Sequence, residues 1–96
     1  MPITITVDIT TGNITVDPTL AYFGINNTVM WQTNGLSLTI SFPNQSPFSD
    51  FQLRSETNTL EATIVGPKGV YHYNVATVGS DGKIYAIPGC PEIIVQ

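Results

Sequence analysis

One histidine, one cysteine and two methionines among 96 residues bound the chemistry open to this chain. His72 has the side chain for a general base or a metal ligand, Cys90 for a nucleophile or thiolate ligand, and Met30 for a soft axial ligand. None stands in a dedicated motif. A Ser-His-Asp or Cys-His arrangement would have to use His72, and Cys90 lies in a separate segment. His72 falls at the parity opposite to Tyr71, Tyr73 and Val75, so the pattern turns it away from the core. Cys90, between Gly89 and Pro91, reads either as a small residue in a tight corner or as an exposed thiol open to intermolecular pairing. A single cysteine allows no intrachain disulfide and no zinc-ligand spacing. The carboxylates Asp8, Asp17, Asp50, Glu56, Glu61, Asp81 and Glu92 are scattered over turns and strand exteriors, with no acid–base spacing. The sequence therefore points away from an enzyme, with no catalytic residue and no cofactor expected. Asn13-Ile14-Thr15, Asn26-Asn27-Thr28 and Asn44-Gln45-Ser46 match the glycosylation sequon, but chance matches are expected in a chain this rich in Asn and Thr.

Composition narrows the partners. Net charge is −4, with Arg54, Lys68 and Lys83 as the three cations. Three cations make no phosphate-tracking stripe, so neither nucleic acid nor an anionic membrane is expected. No apolar run is long enough to span a bilayer, and no signal-like segment opens the chain. Charged residues are 10% of the chain, against about 25% in ordinary soluble domains. The surface must then be built from Thr, Asn, Ser and Gln, which slightly favours an extracytoplasmic location.

These side chains must be positioned by strands. Thr, Ile and Val number 32, whereas Ala numbers four and Leu five. β-Branched side chains suit a pleated surface, and good helix formers are scarce. Ile3, Ile5, Val7 and Ile9 alternate with Thr4, Thr6 and Asp8, the signature of a half-buried strand. A turn at Thr11-Gly12-Asn13 leads to Ile14–Val16, which Asp17-Pro18 ends. Residues 28–33 form the next strand, and Asn34-Gly35 predicts a hairpin into 36–42, with Leu36, Leu38, Ile40 and Phe42 inward. Residues 43–51 read as a loop with a helical turn near Ser49. Strands follow at 60–65, 70–78, 83–87 and 92–95. Seven or eight short strands with turns between them predict one all-β domain, a Greek-key sandwich. Its expected core holds Ile3, Ile5, Val7, Phe23, Trp31, Leu38, Ile40, Phe42, Tyr71, Tyr73 and Val75, while Tyr22 and Tyr85 are expected beside loops.

The order of features resembles the cupredoxins, plastocyanin-like β-sandwiches that carry blue copper. The resemblance rests on Val16-Asp17-Pro18, the strand with Trp31, the strand ending at Phe42, Gly69-Val70-Tyr71-His72-Tyr73, and the closing hydrophobic strand. It implies a cupredoxin-like fold. Blue copper needs two His, one Cys and usually a weak Met. In the match, the first His position falls on Leu38, the Cys position on Val75 and the second His on Thr77 or Val78, and no Met follows Met30. The resemblance therefore implies a fold without its copper ligands and no metal expected.

Three readings follow. The first is a metal-free, non-enzymatic binding or structural module. Its candidate interaction surface is Ile84, Tyr85, Ile87 and Cys90, where a mostly apolar segment meets a weakly guarded sheet edge, open to a protein partner or to self-association. The alternatives are a copper-binding or electron-transfer protein with a non-standard site on His72, Cys90 or Met30, and an immunoglobulin-like adhesion module. The last would normally show Cys…Trp…Cys spacing, and here the lone cysteine lies long after Trp31.

Overall fold

A computed structural model describes residues 3–10, 13–87 and 91–96 of the chain, and within them places eleven strands and no helix. The first four are β1 (Ile3–Thr10), β2 (Asn13–Asp17), β3 (Leu20–Phe23) and β4 (Thr28–Thr33). The next four are β5 (Leu38–Ser41), β6 (Gln52–Ser55), β7 (Thr59–Thr63) and β8 (Gly69–His72). The last three are β9 (Asn74–Val78), β10 (Ile84–Ile87) and β11 (Glu92–Val95). One sheet runs β2-β1-β4-β7. The opposing layer is made of two sheets, β10-β9-β5-β6 and β3-β11-β8. The chain changes sheet at most of its turns. β1 lies parallel to β4, and β11 parallel to β3, while the other pairs are antiparallel.

Alternation decides what goes inside. Ile5 and Val7 of β1, Val29 and Trp31 of β4, Leu38 and Ile40 of β5, Val75 of β9, and Ile93 and Val95 of β11 are all buried in one core. Phe23, Phe42, Tyr71 and Tyr73 join them as expected from the sequence. Phe48 does so from the middle of the 43–51 loop. That loop is closed by short-range bonds: the Ser46 hydroxyl donates to Asp50 O (2.6 Å) and accepts from Phe48 N (3.1 Å). Phe48 thereby meets Trp31 edge-on at 5.8 Å and Phe42 at 5.6 Å. Such pairs add stabilisation beyond the area they bury.

Several expectations need correction. Ile3 is 42% exposed and Leu36 is 56% exposed. Each keeps the period-two parity of its run but lies at or beyond the strand end, where no opposing sheet covers it. Asn34-Gly35 makes no hairpin, since β4 pairs with β1 and β7 whereas β5 pairs with β6 and β9. The dipeptide instead carries the chain from one layer to the other, and neither residue has a positive φ. The 43–51 loop is bends rather than a helical turn. The strand count rises to eleven because β3 and β6 form where no strand was expected, and the 70–78 run divides at Tyr73 into β8 and β9. Thr11 and Gly12, in the turn expected after β1, lie outside the described residues.

Candidate functional site

Of the positions matched to copper ligands, Leu38, Val75 and Thr77 face the core from the β10-β9-β5-β6 sheet, while Val78, the other match for the second His, is half-buried at the opposite parity. Leu38 is fully buried, and Val75 and Thr77 are almost so. Two hydrocarbon side chains thus stand where a nitrogen and a thiolate would be needed, and neither offers a lone pair. The remaining polar groups at this end are occupied with one another. Gly35 N–H donates to Thr33 Oγ1 at 3.0 Å. Thr33 Oγ1 and Thr77 Oγ1 approach to 3.5 Å, and Thr77 Oγ1 donates to Ser37 O at 2.5 Å. With the Thr77 proton committed to Ser37, the Thr33 hydroxyl is the donor to Thr77. The donor set does not fit a blue-copper ion: it is a closed run of hydroxyls and backbone beneath a hydrocarbon wall. Among the described residues no buried side-chain nitrogen or oxygen lacks a partner.

Gly35 makes this closure feasible. A Cβ there would lie 2.4 Å from Thr77 Oγ1 and 2.7 Å from Val78 O. The glycine is thus required for close approach rather than for a left-handed turn. Beside it, the Asn34 carboxamide reaches across to β1. It accepts from Ile9 N at 2.8 Å and donates to Ile9 O at 2.9 Å, extending the β1–β4 pairing beyond Val7 and Thr33.

The alternative metal ligands do not converge. His72 stands on the outward face of β8, with Nδ1 3.6 Å from Glu92 Oε1, and both side chains are substantially solvated. An exposed pair of this kind contributes little. Met30, at the parity opposite to Val29 and Trp31, faces out of the β2-β1-β4-β7 sheet on the other side of the sandwich. Cys90 lies outside the described residues. Among those described, no three His, Cys, Asp or Glu side chains cluster. His72 does border a hollow walled by Pro43, Asn44, Gln45, Val70 and Tyr71. Tyr71 is already committed there, its hydroxyl donating to Pro67 O.

Of the candidate surface, Ile84, Tyr85 and Ile87 lie on the strand expected there, β10. Ile84 is 76% exposed. Ile87 packs partly against the core. Tyr85 is half-buried, and its hydroxyl donates to Asp81 Oδ2 at 2.8 Å. Asp81 also accepts from Lys83 N at 3.0 Å. That backbone bond, followed by the tyrosine bond, holds the Asp81 carboxyl below its usual range, and the same carboxylate pushes Tyr85 up. Next to Ile87 the outward faces of β5, β9 and β10 leave a shallow hollow of about 290 Å³, because Ala76 and Ala86 are paired there with Thr39 alongside. Its walls carry no titratable group. The structure therefore brings Ile84, Tyr85 and Ile87 onto one strand, with Ile84 and Ile87 on opposite faces of it.

Deeper in the core, Trp31 Nε1 donates to Tyr73 Oη at 3.4 Å, with the rings edge-on at 5.8 Å. Burial pushes the Tyr73 phenol up to about 12, despite the opposing effect of the tryptophan bond.

The same architecture is found in solved cupredoxins. A Cu(I) mutant form of amicyanin aligns over 96% of this chain and 81% of its own, with 15% identity and a TM-score of 0.55. A reduced mutant of amicyanin aligns over the same shares at 14% identity and a TM-score of 0.55. An oxidized one covers the same shares at 15% identity and 0.54. No protein-family model matches the chain, nor does any curated protein. The fold is cupredoxin-like, and the residues at the matched ligand positions are not copper ligands.

Proposed function

We propose that this chain is a metal-free, non-enzymatic binding or structural module that uses the cupredoxin-like sandwich as a rigid frame. The observation that carries this reading is the substitution of Leu38, Val75 and the Thr33–Thr77 hydroxyl run for a ligand set. Hydrocarbon cannot coordinate, and a copper ion placed among those side chains would lose hydration without gaining ligands. The outward placement of His72 and Met30 on different layers argues against a non-standard copper site. The presented surface is the edge strand β10, with Ile84 exposed on one face and Tyr85 and Ile87 on the other. The occupant is a protein partner or a second copy of the chain, since the three cations favour neither nucleic acid nor membrane. The low-charge surface of Thr, Asn and Ser supports an extracytoplasmic setting, and no helix among the described residues is long and apolar enough to cross a membrane.

The test is a melting and light-scattering series on the purified chain, with and without one equivalent of copper. A ligand raises Tm only if it prefers the native state. The expected result is an unchanged Tm, no blue colour, and a mass that rises with concentration and falls back on Tyr85→Asp. A copper-dependent rise in Tm would overturn the metal-free reading. A strictly monomeric mass, unaffected by Tyr85→Asp, would overturn self-association through β10.

A further inference from the structure

We propose that Asn34 is a latent modification site: an asparagine poised to form a succinimide, held unreactive by the Thr33 hydroxyl and the β1 backbone. In that reaction the Gly35 nitrogen loses its proton and bonds to Asn34 Cγ. The Cγ–Nδ2 bond breaks, and ammonia leaves with the proton. Water then opens the ring at either carbonyl, giving aspartate or its isoaspartyl isomer, so water is consumed and ammonia released. Glycine is the most permissive following residue, because no Cβ obstructs the attack.

Both reacting groups are restrained in the folded chain. The carboxamide is turned toward β1, with Oδ1 accepting from Ile9 N at 2.8 Å and Nδ2 donating to Ile9 O at 2.9 Å. The nucleophile is buried, and its N–H is committed to Thr33 Oγ1 at 3.0 Å. Removing that proton would create an amide anion where water cannot solvate it. Attack on Cγ therefore requires this end of the sandwich to open first, as in local unfolding.

The reactive pair persists because each residue answers a separate constraint. The clasp on Ile9 needs one donor and one acceptor in a peptide-like plane, which asparagine supplies and aspartate does not. Position 35 has no room for a Cβ, with Thr77 Oγ1 at 2.4 Å and Val78 O at 2.7 Å. The product cannot restore the clasp, since a carboxylate at position 34 would set an acceptor against Ile9 O. Each opening of this end thus carries a chance of a one-way change.

Peptide-mapping mass spectrometry of the intact chain, aged in mildly alkaline buffer, tests this. Asn34 should deamidate about a hundredfold more slowly in native buffer than in urea, the size expected from two or three hydrogen bonds. Folded Thr33→Val should deamidate roughly tenfold faster than the parent, and Thr33→Ser, which keeps the hydroxyl, should restore the slow rate. Equal rates in native buffer and urea would overturn the proposal, as would a folded Thr33→Val no faster than the parent. Should Thr33→Val fail to fold, hydrogen exchange at Gly35 N–H of the parent decides. Strong protection is expected, and exchange as fast as in an unstructured peptide would overturn the idea.

Discussion

Two polar rungs cross the sandwich, and they solve the same problem in different ways. Trp31–Tyr73 and Thr33–Thr77 each join β4 to the Tyr73–Val78 run, at 3.4 Å and 3.5 Å. The aromatic rung is one long bond inside a packed cluster with Phe42 and Phe48. Its stabilisation comes from buried area and edge-on ring contacts, and the bond merely satisfies two polar atoms that burial would otherwise leave unpaired. The threonine rung buries little. It works as a link in a run that ties Gly35 N to Ser37 O, fixing the crossover between layers. One rung supplies bulk, the other supplies position.

The largest expected contrast is at the aromatic rung. Trp31→Ala removes the biggest fully buried side chain and should lower unfolding free energy by about 3–5 kcal/mol, read by urea titration. A loss near that of an exposed substitution would show that Phe48 and Tyr73 collapse into the space.

At the positional rung the telling change is an addition. Gly35→Ala often stabilises a loop by restricting the unfolded chain. Here the new methyl meets a hydroxyl and a backbone carbonyl well inside contact distance, so a loss of about 1–3 kcal/mol is expected. In Thr77→Ser the neighbour can shift more readily, and the same glycine change should then cost less. A double-mutant cycle with no coupling between the two positions would separate the methyl's cost from the threonine run.

The smallest effect at neutral pH should be Tyr73→Phe, about 1 kcal/mol. It sharpens the comparison at high pH. Tyr73 rises from an ordinary value of 10.0 to about 12 in the folded chain. The native state then keeps a proton that the unfolded chain gives up. The associated stability is whole below pH 10 and is lost as the pH climbs through 12, by about 2–3 kcal/mol. Tyr73→Phe should flatten that alkaline decline. An unchanged decline would assign it to other tyrosines.

The layers of this fold were legible wherever one side of a strand is uniformly covered. In β1, β5 and β9, β-branched and aromatic residues recur with period two, and Ile5, Val7, Leu38, Ile40 and Val75 are buried accordingly. Thr33 and Thr77 obey the same parity, so their burial was written in the sequence, though their polarity masked it. What periodicity does not encode is extent and destination. Ile3 and Leu36 continue the alternation past the cover. Asn34-Gly35 marks a change of direction without saying which sheet receives the next strand. β6 reads Gln52-Leu53-Arg54-Ser55, an edge strand with too little apolar surface to announce itself, and Phe48 is brought inward by Ser46 rather than by any repeat. Of the candidate surface, the sequence left open whether Ile84 and Ile87 face out or fold onto the core; Ile84 is exposed and Ile87 packs partly inward. The turn at Ser80-Asp81-Gly82 was legible from its residue types, but not the bond from Tyr85 back to Asp81 that it permits.

The placement of β11 has a consequence for how the chain reaches this state. It is last of the eleven strands in order, yet it lies between β3 and β8, parallel to the first and antiparallel to the second. β1 is likewise an inner strand, joined to β4 across the intervening β2 and β3. The two four-stranded sheets can add each strand to one already made, whereas the β3-β11-β8 sheet cannot begin until its last strand is present. Closing such distant pairings costs chain entropy before it is rewarded, which places folding on the slow side for a domain of this size. Until β11 docks, β3 and β8 have no partner in their sheet, and their unpaired backbones are open to other chains. The nascent domain therefore carries two open strands, one early and one late in the chain, until β11 is in place between them.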